Sequence, residues 1–177
     1  MTTANDPIDA AIDVVPAGAG FDVRRTTNED REWIRSTLRR YWASERVLTR
    51  GRAVDAMTLP GFAAFKGDEP VGVILYNIEG DQCEIVTHNS LKGSGGIGSC
   101  LLAAVRQEAR QRGCSRLWCV TTNDNTPALR FYQRRDFDLC ALHRHAVTAN
   151  RHLKPEIPDE GLDGIQIRHE VELEYLL

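Results

Sequence analysis

The sequence predicts a mixed α/β fold, and three observations carry that reading. Short apolar runs separated by turn residues follow one another from Gly61 to Asn89, as in an antiparallel meander. A glycine cluster, Lys92-Gly93-Ser94-Gly95-Gly96-Ile97-Gly98-Ser99, then sits where a strand becomes a helix. A second junction of the same kind follows Thr122, where Asn123-Asp124-Asn125-Thr126 leads into Pro127.

The elements follow in order. Residues 1–20 are rich in Ala, Asp, Pro and Gly without periodicity, which predicts a disordered tail ahead of one domain over residues 21–177. Phe21–Arg25 reads as a first strand, with helix-capping residues from Thr26 to Asp30. The helix that follows puts Ile34, Leu38, Tyr41 and Trp42 on one face. Arg46 to Arg52 is basic and reads as irregular; a solvated loop is the first reading of Arg46, Arg50 and Arg52, ahead of a contact with an acceptor carboxylate or a coenzyme phosphate. Strands are expected at Gly61–Phe65, Val71–Tyr76 and Cys83–Thr87, with turns at Lys66–Pro70 and Glu79–Asp81. Ile97, Leu101, Ala104 and Val105 recur at helical spacing until Gly113.

Arg116–Thr122 reads as a buried strand, and the helix after it carries Ala128, Phe131 and Tyr132. Beyond it, Leu139–Val147 suggests a strand, Thr148–Lys154 a short helix, and 155–164 a long acidic loop that suits one wall of an acceptor site and a plain surface connection equally. Val171, Leu173 and Tyr175 alternate with Glu170, Glu172 and Glu174, the pattern of a half-buried closing strand.

Composition narrows the function. A length of 177 residues suits a single core, and a net charge of −3 gives no nucleic-acid surface. No apolar run is long enough for a membrane span and no secretory leader is apparent, so a cytoplasmic protein is expected. Five cysteines without a C-x-x-C pair read as buried reduced thiols. His143 and His145 lack the further ligands that a metal would need.

The glycine cluster is read as a phosphate cradle. A helix N-terminus offers unpaired N–H groups and the positive end of a dipole, and glycine lets the backbone approach the anion. Gly93-x-Gly95-x-x-Gly98 is also the dinucleotide fingerprint, which would make the chain an NAD-dependent oxidoreductase. The meander upstream argues against that, because the fingerprint opens an alternating β-α-β chain.

Gly96-Ile97-Gly98 followed by Asn125-x-x-Ala128-x-x-x-Tyr132 resembles the GNAT family of N-acetyltransferases over roughly residues 21–177. Two positions depart from the pattern: Gly93 stands where the family has Arg or Gln, and Asp136 stands where it has Gly before Phe137. The resemblance implies antiparallel N-terminal strands, then a splayed parallel pair (the family's fourth and fifth strands) with flanking helices. It implies acetyl-CoA as donor, bound by Val86, Thr87, His88, Lys92, Gly93, Ser94, Gly95, Gly96, Ile97, Gly98, Ser99, Asn123, Asn125, Ala128 and Tyr132. An amine, on a small molecule or a peptide, attacks the thioester directly, and a backbone N–H near Val86 to His88 meets the oxyanion. Tyr132 is the expected acid for the departing thiolate, and Glu84 and His88 are alternative bases for the ammonium. A non-catalytic acyl-CoA binding module is the competing class, and a homodimer is compatible with the chain.

Overall fold

The computed structural model describes residues 20–92 and 95–177. Most of the expected 1–20 tail lies outside the described residues, as do Gly93 and Ser94 of the cradle. A seven-stranded sheet runs β1 (Asp22–Arg25), β4 (Gly61–Lys66), β5 (Glu69–Glu79), β6 (Gln82–Ser90), β7 (Arg116–Thr122), β9 (Glu170–Leu176) and β8 (Asp138–His143) from edge to edge. Every neighbouring pair is antiparallel except β6 and β7.

Helices cover both faces. On one lie α1 (Arg31–Trp42) and a separate hairpin of β2 (Arg46–Thr49) with β3 (Arg52–Asp55); on the other lie α2 (Ile97–Gln111) and α3 (Thr126–Gln133). Ile34, Leu38, Val47, Val73, Leu75 and Val86 form the first core cluster. Phe62, Ile85, Leu101, Val105, Leu117 and Leu173 belong to the larger second one. Each such side chain contributes about 1.5–3 kcal/mol by leaving water, so Leu101→Ala should cost about 2–5 kcal/mol.

Local chemistry sets the boundaries. Thr27 and Asp30 form a capping box ahead of α1, which ends at Ala43 in the left-handed region, φ 63°. α2 begins after Gly96, φ 83°, a conformation that glycine adopts freely.

The 46–52 stretch, expected to be irregular, is an ordered hairpin. Arg50 (φ 48°) and Gly51 (φ 74°) make its two-residue turn, the mirror-image type that matches strand twist. Arg-Gly is a weaker signal for it than Asn-Gly. The hairpin is anchored from the other end of the chain: Lys154 Nζ donates to the Arg46 carbonyl at 2.5 Å, and Glu170 accepts from the Arg50 N–H at 3.0 Å. The segment after β8 holds a short helix, α4 (Ala146–Asn150), starting two residues before the expected one.

The cysteines also differ in part from expectation. Cys83, Cys114 and Cys119 are buried thiols, but Cys100 is half-buried and Cys140 is exposed on the edge strand β8.

Candidate active site

β6 and β7 pair only from Gln82–Ile85 against Arg116–Cys119. Beyond that point β6 continues to Ser90 and β7 to Thr122 without each other, and a cavity of about 300 Å³ opens between them. Ile85, Val86 and His88 line it from β6, Val120 and Thr121 from β7, and Tyr132 from α3. Two contacts shape the opening. β7 stays paired to β9 along its whole length, and Trp42 at the end of α1 donates from Nε1 to Asn89 Oδ1 at 2.9 Å, pinning the far part of β6.

A β-bulge sits beside the opening. Leu75 pairs with Thr87 and Tyr76 with Ile85, so Val86 is the extra residue. The bulge breaks the alternation of β6: Glu84 points toward the hairpin, where it meets Thr49, whereas His88 points toward α2 and α3. The two base candidates therefore lie on opposite faces of the sheet. Thr87 is buried, and its Oγ1 has no hydrogen-bond partner among the described residues.

Tyr132 is buried, with its hydroxyl 3.0 Å from His88 Nδ1. Burial raises its pKa well above the ordinary value, and the neighbouring Cys119 thiol adds to the shift. Burial likewise lowers His88 to about 4, against the hydrogen bond with Gly98 that favours its charged form. Cys119 is pushed up by burial and stays a thiol, which removes it as a nucleophile.

The helix termini carry the rest of the expected cradle. Cys100 makes the first backbone bond of α2, to Gly96, leaving the N–H groups of Ile97, Gly98 and Ser99 without intrahelical partners. A Cβ on Gly98 would come within 3.2 Å of Phe131 and 3.4 Å of His88, so a larger residue there would press on the Phe131 ring. Asn125 caps α3 by accepting from the Ala128 N–H at 3.2 Å, which accounts for two residues of the Asn-x-x-Ala motif.

Two expected ligands are otherwise engaged. Asn123 braces the C-terminal segment: its Nδ2 donates to Gln166 O at 2.9 Å, and its Oδ1 accepts from Arg168 N and His169 N at 3.0 and 2.9 Å. Both lone pairs of Oδ1 and one of the two Nδ2 hydrogens are thus spent on that segment. Lys92, the basic residue beside Gly93, is paired with Glu69 at 2.6 Å.

Sequence reasoning missed Arg135. Its Nη2 and Nε lie 2.5 and 3.2 Å from Ser99 Oγ, and its guanidinium stacks 3.7 Å over the Phe131 ring. It pairs with no carboxylate among the described residues, so a cation stands beside the open N–H groups of α2. No local motif marks it, since the contact is made across 36 positions.

The opposite face is polar and roofed by the hairpin. Glu84 is buried, accepts from Thr49 Oγ1 at 2.5 Å and lies 3.5 Å from Arg52. Burial raises its pKa against both contacts. Next to it a second cavity of about 500 Å³ is lined by Arg50, Arg52, Glu79, Glu84 and Trp118. The Trp118 ring lies between Arg50 and Arg116, at 5.0 and 5.5 Å. Glu170 and Glu172 project from β9 on the same face, and both are buried. The acidic loop closes on the turn before α3: the Leu162 N–H donates to Asp124 Oδ2 at 3.1 Å, and a Cβ on Gly161 would lie 2.0 Å from that oxygen.

The sequence and the fold have known counterparts. The Acetyltransferase (GNAT) family profile matches residues 26–137. The uncharacterized protein YdhI of Bacillus subtilis (strain 168) is 38% identical over 133 residues, covering 75% of this chain and 83% of its own. A streptothricin acetyltransferase of Streptomyces lavendulae is 43% identical over 47 residues, 27% of this chain and 25% of its own. Among solved structures, a GNAT family acetyltransferase from Elizabethkingia anophelis with acetyl-CoA bound superposes with a TM-score of 0.67 at 17% identity, covering 90% of this chain and all of its own.

Proposed function

The chain belongs to the acetyltransferase (GNAT) family, and from that premise we propose that it moves an acetyl group from acetyl-CoA to an amine in a ternary complex. The observation that carries this reading is the cavity at the β6–β7 splay, with the Tyr132 hydroxyl at its wall and the open end of α2 beside it.

The residues present fit the donor. The strand edges beyond Ile85 and Cys119 are free to pair with the pantetheine amides, as an added strand would be. The phosphates belong at the N–H groups of Ile97, Gly98 and Ser99, with the Arg135 guanidinium in the role that the family gives to the Arg or Gln at position 93. Gly95 and Gly96 keep that approach clear of side chains.

Transfer needs two proton movements. Tyr132, kept protonated by burial, supplies the acid for the sulfur that leaves. Glu84 is the base on the hairpin face. Its raised pKa makes it a better proton acceptor than an exposed glutamate, and the neighbouring cavity gives the amine a way in. A backbone N–H of the bulged segment Val86 to His88 faces the carbonyl oxygen. No covalent intermediate on the protein is involved.

Mixed charge around the second cavity suits an amine that carries further polar groups, with Arg50 and Arg52 for an anion and Glu79 and Glu84 for a cation. Streptothricin belongs in the first acceptor panel, beside amino acids, aminoglycosides and peptide N-termini. The reading also places the protein in the cytoplasm, where acetyl-CoA is available and cysteines stay reduced. Among the described residues no helix is long and apolar enough to cross a membrane. The test is thiol release from acetyl-CoA across that panel. Release that depends on an amine supports the proposal; tight acetyl-CoA binding without release from any amine would leave a binding module instead.

A further inference from the structure

The hydrogen bonds of His88 determine which of its nitrogens carries the proton. Nε2 lies 3.1 Å from the Gly98 carbonyl oxygen, which can only accept, so Nε2 holds a proton. In the neutral ring Nδ1 is then a bare lone pair, and the Tyr132 hydroxyl 3.0 Å away is its donor. The ring is clamped in this pose. Phe131 meets it edge to face with centroids 5.2 Å apart, and the hydrogen bond to the Gly98 carbonyl holds Nε2 at 3.1 Å. Burial, with the Arg135 charge nearby, opposes a second proton on the ring.

Neither nitrogen is therefore available to an acceptor amine, and the role of base expected for His88 does not suit this geometry. We propose instead that His88 is a positioning residue for the acid: it accepts the Tyr132 hydrogen bond, holds that hydroxyl protonated at the cavity wall, and exchanges no proton itself. The proposal rests on Tyr132 being the acid of the acetyl transfer. In that step the hydroxyl turns from Nδ1 to the leaving sulfur, and the Tyr132 O–H bond breaks as an S–H bond forms on the thiolate. The tyrosine oxygen then regains a proton from water, while Glu84 returns to solvent the one it took from the acceptor nitrogen. His88 is neutral and Nε2-protonated before and after. Because Gly98 lies in the first turn of α2, the same ring ties the acid to the helix end where the phosphates belong.

The test is long-range ¹H–¹⁵N NMR of the imidazole rings in the full-length protein, with the five histidines separated by a His88→Gln sample. The expected result is an Nε2–H tautomer at His88, unchanged between about pH 8 and pH 5, whereas an unperturbed ring would titrate near 6.5. In Tyr132→Phe the Nδ1 resonance should move toward that of a free lone pair. An Nδ1–H tautomer, a ring that titrates near neutrality, or an Nδ1 signal indifferent to Tyr132→Phe would overturn the proposal. Turnover separates it from the reading beneath it. If Tyr132→Phe acetylates as fast as the wild type, the acid assignment fails even with the expected tautomer. If Tyr132→Phe is slow and the tautomer is wrong, only the role of His88 fails.

Discussion

The two faces of the splayed strands are built on opposite electrostatic plans. Toward α2 and α3 the groups around the Tyr132 hydroxyl are neutral: Tyr132 and Cys119 are buried, His88 is half-buried, and each is held in its uncharged form by desolvation. Toward the hairpin it is charged, with Glu84, Glu170 and Glu172 buried among Arg50, Arg52 and Arg116. Within that second face two residues of one strand diverge. Burial raises Glu170, whose one hydrogen bond among the described residues comes from the Arg50 N–H. Burial also pushes Glu172 upward, but bonds from Arg116 and His143, at 2.7 Å each, outweigh it and leave the carboxyl below its ordinary range. Two carboxyls of one strand thus shift in opposite directions: desolvation prevails at Glu170, and the bonds that Glu172 accepts prevail there.

The largest expected effect tests the neutral face. Tyr132→Phe should lower kcat about 100-fold, a typical share for one general acid, while acetyl-CoA affinity stays within about twofold. Glu84→Gln should do comparable damage from the charged face. In the wild type the rate should fall as pH drops through the raised Glu84 pKa, on an acidic limb that lies above the ordinary carboxylate range. A rate that ignores this substitution would remove the base from the account.

Next come the paired glutamates of β9. Because the folded pKa of Glu172 is lowered, its ionised form stabilises the fold above the unfolded carboxyl pKa, and that stability is lost as pH falls through the folded value. Glu172→Gln should therefore cost about 2 kcal/mol at neutral pH, read by denaturant titration. Glu170 has the opposite sign: with its folded pKa raised, stability is lost as pH rises through it. Glu170→Gln should leave the protein as stable or slightly more so at pH 7. Losses of equal size in the two variants would break the comparison.

A smaller effect is expected at the cradle. Arg135→Met should weaken acetyl-CoA binding about tenfold, the worth of one charge-assisted contact, with little change for acetylpantetheine, which lacks the phosphates. Smallest is Asp136→Gly. Asp136 is left-handed at φ 64°, where glycine carries no steric penalty, so the change should raise stability by about 1 kcal/mol in thermal unfolding.

The neutral face was legible because its signals are local. Gly96-Ile97-Gly98 makes the start of α2, Asn125 caps α3 for Ala128, and Tyr132 follows seven positions later on the same helix. The left-handed turn before Phe137 was legible too, through the Asp136 that replaces glycine. The charged face was not. Alternation along β9 separates the glutamates from Leu173 and Tyr175, which suggests a solvated side, yet Glu170 and Glu172 are more buried than Val171. What covers them is the Arg50–Gly51 turn, bonded across 120 positions by a contact that no periodicity encodes. Arg135 and Ser99 meet by the same kind of long-range packing, and Asn123 lies beside the motif while its side chain serves the C-terminal segment.

The most direct measurement is calorimetric titration of the protein with acetyl-CoA, run beside NADH. The account predicts saturable binding of acetyl-CoA, weakened in Arg135→Met, and no heat from NADH. Binding of NADH alone would mean that the glycine cluster serves a dinucleotide, and binding of neither would contradict the assignment of the splay as a coenzyme site.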